Sequence, residues 1–221
     1  MKKKILIIFM LFGLTVSLFG CSSSTLDLVK ENMSEMTKIY YMGENDSFYC
    51  TLAIGEREQT YLMNGQTSEK TDFALLSIVP SQNAYSNLIK AKIVIDGIES
   101  EVELEINGLN HNYMVDLEKS LSGDEEIEVI FEDQPLKLEN VSKNFGVDYL
   151  QGLEIASNEM EEQILLKKTY KNLNAECYLR ILDKKANGFD GLFWCFTVMN
   201  IDNESYSIVF SAEDGKVLAK S

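Results

Sequence analysis

The dipeptide Asp96-Gly97 constrains the fold more than any other feature, because it fixes one antiparallel pairing of the chain. Asp-Gly is a preferred two-residue hairpin turn, and β-branched apolar residues flank it on both sides. A hairpin closed here places Lys92 opposite Glu101, with apolar residues such as Ala91 on the other face. A slip of one residue would scramble both faces. The sequence therefore predicts a β-hairpin with one apolar and one charged face.

Period-two alternation predicts more strands on both sides of this hairpin. Residues 48–54 and 127–131 alternate, and residues 73–79 form a nearly continuous apolar run. Before them, apolar residues at helical spacing predict a short amphipathic helix over about 25–37. About seven short strands in roughly 110 residues indicate an antiparallel β-sandwich-like domain over 38–146.

The last third of the chain has a different pattern. Apolar residues at helical spacing predict a helix that begins after Asp148, a good N-cap residue. Three strands are predicted to follow, at 176–182, 192–199 and 206–211. The overall prediction is an α+β protein with an all-β domain first and a small helix-plus-three-strand domain second.

This second unit resembles a known family. A helix followed by three antiparallel strands, with Trp194 and Phe196 in the middle strand and an Asp-Gly turn after the last, is similar to a PepSY-type domain. The resemblance covers 147–221 and implies a non-catalytic module used for inhibition or interaction on secreted and membrane proteins. It brings no catalytic residue with it.

The N-terminus has the pattern of an export signal. Three lysines precede an apolar stretch over 5–20, which is shorter than the roughly 20 residues of a membrane span. The stretch ends in Leu-Phe-Gly followed by Cys21, which resembles the lipobox of bacterial lipoproteins. The resemblance implies a signal peptide over 1–20, cleavage between Gly20 and Cys21, and acylation of Cys21.

Acylation would place the protein at a membrane. Two or three acyl chains give durable anchoring, whereas one gives only marginal binding. We therefore expect residues 21–37 to contain the lipidated cysteine, a serine tether and the short helix. The body would work on the extracytoplasmic face of the cell membrane, held there by lipid.

Charge and composition exclude several function classes. The chain has 20 Lys and Arg against 35 Asp and Glu, a net charge of −15, which disfavours nucleic-acid binding. Its single histidine, His111, argues against histidine zinc sites and serine–histidine triads. Cys50 lies among apolar residues with no base nearby, as a buried thiol does. The sequence thus predicts no catalytic residue, no metal site and no cofactor.

Two other cysteines allow two interpretations. Cys177 and Cys195 fall on consecutive predicted strands, and a symmetric hairpin between them would place them directly opposite each other. Facing cysteines at a non-hydrogen-bonded position are close enough for a disulfide, and export permits one. Alternatively, an asymmetric loop shifts the register, and the two thiols pack as small apolar groups.

Aromatic residues of the last third also allow two interpretations. Trp194, Phe196 and Tyr206 form a binding patch if their sheet face is exposed, and belong to the core if a helix covers it.

The leading functional hypothesis is a non-enzymatic surface lipoprotein that binds or modulates another cell-envelope protein. The alternative is a lipoprotein that binds a small ligand or a cation. A hydrolase with an unrecognised site is the third hypothesis.

Overall fold

The computed structural model describes residues 24–59, 67–81, 89–107, 112–169, 172–183, 185, 190–200, 202 and 204–221. The helices among them are α1 (Thr25–Glu31), a 3-10 helix (Val141–Asn144), α2 (Tyr149–Glu159) and α3 (Glu161–Leu166). The strands up to the 3-10 helix are β1 (Met33–Glu44), β2 (Phe48–Glu58), β3 (Lys70–Pro80), β4 (Ile89–Ile95), β5 (Ile98–Asn107), β6 (Asn112–Asp116), β7 (Ile127–Phe131) and β8 (Gln134–Asn140). The later strands are β9 (Lys168–Thr169), β10 (Asn172–Leu173), β11 (Ala175–Leu182), β12 (Phe193–Asn200), β13 (Ser205–Ser211) and β14 (Val217–Lys220).

The first eight strands form a closed antiparallel barrel in the order β1-β2-β3-β6-β5-β4-β7-β8. The barrel closes where β8 pairs with β1, with Tyr41 opposite Asn140 and Met42 opposite Glu139. The predicted sandwich is therefore wrong. Short alternating strands are common to sandwiches and barrels, and the pairing of the first strand with the eighth distinguishes them.

The barrel interior is filled by side chains. Large residues that point inward are fully buried, among them Phe48, Phe131 and Ile93. Phe48 and Phe131 meet edge to face, with their ring centroids 5.4 Å apart. An eight-stranded barrel is just wide enough for side chains to fill it. Any ligand site on the described part of this barrel must therefore lie on its outside or at its rim.

The Asp96-Gly97 hairpin is confirmed. Lys92 pairs with Glu101 and Ala91 with Val102. Both turn residues have positive φ, as a tight two-residue turn of this kind requires.

Strand β1 continues the sheet beyond the barrel. Its first half pairs in parallel with β11, with Met33 opposite Cys177 and Met36 opposite Leu179. Strands β12, β13 and β14 then extend the sheet from β11. The expected separate PepSY-like unit is therefore wrong, because its strands are part of the sheet that forms the barrel.

The helix predicted over 25–37 ends at Glu31. Ser24 caps its start by accepting a hydrogen bond from the backbone of Asp27, and Asn32 closes its end. Met33 begins β1, because sheet pairing with β2 and β11 outweighs the helical spacing of the apolar residues. Met33 is still buried in the core, so the spacing identified core residues and misassigned their local structure.

A second apolar cluster lies between the sheet extension and the helices. Asp148 caps α2 as predicted, by accepting a hydrogen bond from the backbone of Gln151. Trp194 lies under this helix, and its ring nitrogen donates to the carbonyl of Val147 at 2.8 Å. None of the described helices has the length and apolar character that crossing a membrane requires.

Candidate functional site

Several predicted site residues fall outside the part of the chain that the structure describes. These are the cleavage-site residue Gly20, the lipidation residue Cys21 and the single histidine, His111.

The predicted disulfide is wrong. Cys177 pairs with Val198, and Cys195 pairs with Arg180, so the two cysteines lie three positions out of register. Because side chains alternate along a strand, this odd offset places the two thiols on opposite faces of the sheet. Both are free, and burial raises the pKa of each thiol. The two strands pair about a centre between positions 187 and 188 and not at 186, and such a shift of register was the alternative interpretation.

The predicted aromatic binding patch is core. Trp194 and Phe196 are 1% and 0% exposed, because α2 covers their face of the sheet. Tyr206 is half-buried, and the ammonium of Lys167 lies 5.3 Å from its ring centroid. Cys50 is also fully buried, and burial raises the pKa of its thiol, so it is a poor nucleophile.

The strongest candidate site is a cleft on the outer face of the barrel, beside the C-terminal end of β11. Strand β11 ends at Leu182, after which Asp183 contacts Tyr40 of β1 and Lys185 pairs with Glu44 of β1. The cleft has a volume of about 460 Å³. Its lining comprises Glu35, Thr37, Tyr40, Tyr49, Thr51, Ala53, Phe73, Leu75, Ser77, Val79, Asn112, Met114, Arg180, Ile181, Asp183 and Lys185.

Strand alternation explains why polar groups collect here. On β2, Cys50 and Leu52 point into the barrel, which leaves Tyr49 and Thr51 on the outside. The same alternation places Ser77 of β3 on the outer face. On this face the lining is completed by Arg180 and Ile181 of β11 and by Asp183 and Lys185 after it.

A buried carboxylate lies at the centre of the cleft wall. Asp183 is 3% exposed, and its Oδ2 accepts a hydrogen bond from the hydroxyl of Tyr40 at 2.6 Å. Burial and the nearby carboxylate charge raise the pKa of Tyr40 well above its usual value. The Tyr40 hydroxyl therefore stays protonated and donates to the carboxylate.

Tyr49 is the more informative tyrosine. Its side chain is buried, with 5% of the residue exposed, and its hydroxyl makes no hydrogen bond of normal length and angle, although Asp183 lies near enough to raise its pKa. Burial, followed by the charge of Asp183, raises its pKa strongly, so the hydroxyl keeps its proton. The ammonium of Lys185 lies 6.0 Å from the Tyr49 ring centroid.

Asn112 carries a second buried atom without a partner. Its Nδ2 donates to the Ser77 hydroxyl at 2.6 Å, whereas its Oδ1 accepts nothing. In the described residues, three buried side-chain polar atoms have no partner: Tyr49 Oη, Asn112 Oδ1 and Ser157 Oγ. Two of the three line this cleft, although buried polar groups are normally hydrogen-bonded.

The charged groups at the cleft rim are paired with one another. The guanidinium of Arg180 donates two hydrogen bonds to Glu35, at 2.6 and 2.9 Å. The ammonium of Lys185 lies 2.7 Å from the Glu44 carboxylate. Both described cations of the cleft lining are therefore neutralised by carboxylates of the protein.

A second cleft, of about 600 Å³, lies beside β7 and β8. Its acidic residue Glu125 accepts hydrogen bonds from the backbone of Ser122 and Gly123 and from the Ser122 hydroxyl. Tyr41 donates its hydroxyl to the Glu125 carbonyl at 3.2 Å. Because these polar groups are satisfied by the protein, the larger cleft gives less reason to expect a ligand.

The sequence analysis did not identify the residues of the outer cleft. Tyr40, Tyr49, Asn112 and Asp183 come from four separate segments and form no local motif. Within the described residues, no three His, Cys, Asp or Glu side chains are grouped closely enough to hold a metal ion. No family model, curated protein or solved structure matches the chain.

Proposed function

We propose that this protein is a non-enzymatic, membrane-anchored binding protein and that the outer cleft is its ligand site. This is the small-ligand hypothesis of the sequence analysis, now attached to a place in the fold. The observation that carries it is the pair of buried, unpartnered polar atoms, Tyr49 Oη and Asn112 Oδ1, in one cleft.

An energetic argument supports a ligand. A buried polar group without a hydrogen bond costs about 1–3 kcal/mol. A volume of about 460 Å³ is within the range of small-molecule sites and far exceeds the roughly 30 Å³ of one water molecule. A polar molecule in the cleft would form the missing hydrogen bonds and recover that cost.

The chemistry of the cleft favours binding over catalysis. Its carboxylate, Asp183, accepts a hydrogen bond from Tyr40, and both tyrosine hydroxyls have raised pKa values. A phenol with a raised pKa is a weak nucleophile and a weak acid near neutral pH. Such groups suit hydrogen bonding to a ligand.

The proposed anchor sets where the cleft works. Acylation at Cys21 would leave three residues up to Ser24, the N-cap of α1. A segment of three residues spans at most about 10 Å. The folded part of the protein would thus lie close to the extracytoplasmic face of the cell membrane, where it contacts extracytoplasmic solutes.

Binding or modulation of another envelope protein stays a prediction. The patch proposed for it, Trp194 and Phe196, is buried, and the other described surfaces do not specify a partner. Crosslinking in native membranes, with a Cys21→Ala variant as the anchoring control, tests it. One envelope protein captured near stoichiometry, and lost in the variant, would support it.

The cleft itself is tested by blocking it. The full-length protein in detergent micelles is screened by thermal unfolding against small polar amines, carboxylates, amides and polyols. We expect one class of compound to raise the Tm of the protein, by roughly 5–10 °C when the compound is present at about 100 times its Kd. The cleft-filling variant Ala53→Phe should lose this shift, whereas Ala219→Phe on β14 should keep it. If no class raises the Tm, or if the Ala53→Phe variant responds like the native protein, the cleft is not the binding site.

A further inference from the structure

We infer that the ligand of the outer cleft is an uncharged polyhydroxylated molecule, such as a monosaccharide or a cyclic polyol. This inference rests on the proposed function and specifies the ligand class of the same cleft. It is carried by three observations: the pairing of the rim charges, the chemistry of the two unpartnered atoms and the mixed lining.

The charged side chains at the cleft already interact with other groups of the protein. The described ones are three carboxylates, Glu35, Glu44 and Asp183, and two cations, Arg180 and Lys185. Arg180 is held in a two-bond pair by Glu35, and Lys185 is paired with Glu44. An anionic ligand would have to break one of these pairs before it gained a cationic partner, and a cationic ligand would have to compete with the Tyr40 hydroxyl for Asp183. An uncharged ligand leaves all of these contacts intact.

The two unpartnered atoms need different partners: the Tyr49 hydroxyl needs an acceptor, and Asn112 Oδ1 needs a donor. The Tyr49 hydroxyl has a proton to donate, and Asn112 Oδ1 can only accept. An ammonium group only donates, so it leaves the Tyr49 proton without an acceptor. A carboxylate only accepts, so it leaves the Asn112 oxygen without a donor. Each hydroxyl of a polyol does both, and neighbouring hydroxyls can serve both atoms at once.

The rest of the lining fits a ring that carries hydroxyl groups. Polar side chains, among them Thr37, Thr51 and Ser77, share the cleft with apolar ones such as Leu75 and Met114. The hydroxyls of a sugar or cyclitol are directed to the sides of the ring, and its C–H groups form apolar patches. Such a molecule could place its hydroxyls on the polar side chains and its C–H groups on the apolar ones.

The test uses probes of nearly equal shape and different charge. Binding to the full-length protein in detergent micelles is measured by calorimetry with methyl glucoside, methyl galactoside, methyl mannoside and myo-inositol. Glucosamine and glucuronate serve as the cationic and anionic counterparts. We expect at least one neutral probe to bind at least tenfold more tightly than both charged probes.

Two variants assign the binding to the cleft. Tyr49→Phe removes only the unpartnered hydroxyl. We expect it to lower the affinity for the neutral probe about tenfold, which corresponds to about 1.4 kcal/mol of binding free energy. Tyr41→Phe is the matched control, because its hydroxyl donates to Glu125 beside the other cleft. It should leave the affinity unchanged.

The possible failures are distinct. Tighter binding of glucosamine or glucuronate, sensitive to Tyr49→Phe, overturns the ligand class and leaves the proposed binding function standing. Neutral-probe binding that is unaffected by Tyr49→Phe overturns the assignment to this cleft. Absence of binding by every probe overturns the ligand class, and if the wider thermal screen also gives no response, the proposed function is overturned as well.

Discussion

For two tyrosines that line the same cleft, loss of the hydroxyl should change the stability of the protein differently. Tyr40 and Tyr49 are both about 95% buried, so a change to phenylalanine removes one oxygen from similar surroundings. The Tyr40 hydroxyl donates to the buried Asp183 carboxylate at 2.6 Å, whereas the Tyr49 hydroxyl has no partner. The two substitutions therefore separate the value of a hydrogen bond from the cost of an unsatisfied group.

The magnitudes follow from these contacts. A hydrogen bond to a charged group contributes about 1.5–3 kcal/mol, so Tyr40→Phe should lower the free energy of unfolding by about 2 kcal/mol. For a chain of this length, that loss lowers the Tm by roughly 4–8 °C. Tyr49→Phe loses no hydrogen bond and removes a buried hydroxyl, so it should leave stability unchanged or raise it by up to about 1 kcal/mol.

Urea unfolding of the ligand-free protein, followed by tryptophan fluorescence, measures both changes. Trp194 is a suitable probe because it is the single tryptophan and is 1% exposed. Equal m-values would show that the variants unfold from comparable states. A Tyr49→Phe loss as large as that of Tyr40→Phe would refute the reasoning, because it would show that the Tyr49 hydroxyl already has a partner.

Two glycines and three cysteines provide further predictions. Gly55→Ala should destabilise by about 3 kcal/mol or more in urea unfolding, because the added Cβ would lie 1.9 Å from a backbone oxygen of β1. Gly152→Ala is its control, since the Cβ would meet only ordinary contacts, at 3.5 Å and beyond, and alanine favours a helix; a gain of about 0.5–1 kcal/mol is expected. Similar losses in the two variants would contradict the close approach of β1 and β2. In thiol titration of the unreduced native protein, Cys195 should react first, with Cys50 and Cys177 protected by burial. All three should react once the protein is denatured, and the loss of two thiols would indicate a disulfide.

Local patterns predicted the elements whose partners are near in sequence. The hairpin around Asp96-Gly97 was predictable with its register, because turn chemistry and the pairing of Lys92 with Glu101 agree. The helix that begins after Asp148 was predictable for a similar reason, since its cap and its apolar stripe are contiguous.

Long-range pairings carried no local signal. Barrel closure depends on Tyr41 meeting Asn140, and the sheet extension depends on Met33 meeting Cys177. Neither pair has a turn or a charge pattern that would specify it. The disulfide prediction failed for a related reason: the register of β11 and β12 differs from the one assumed, and it places Cys195 on the other face of the sheet.

The candidate site could not be predicted for a physical reason. On an isolated strand, Tyr49 and Thr51 have the pattern of an outer, water-facing surface. In the folded protein both are buried, in a cleft that also contains Asp183, a residue more than 130 positions later in the chain. The site is therefore a product of tertiary structure.

The parallel pairing of β1 with β11 also has a consequence for how the chain matures. During synthesis β1 is made early and β11 late. The edge of β1 that contains Met36 therefore has no pairing with β11 until most of the protein has been made. An open strand edge is a template for pairing with other chains. A product truncated before Ala175 would keep that edge exposed, and we expect it to self-associate. The last strands would therefore protect completed molecules from association through this edge, in addition to completing the cleft.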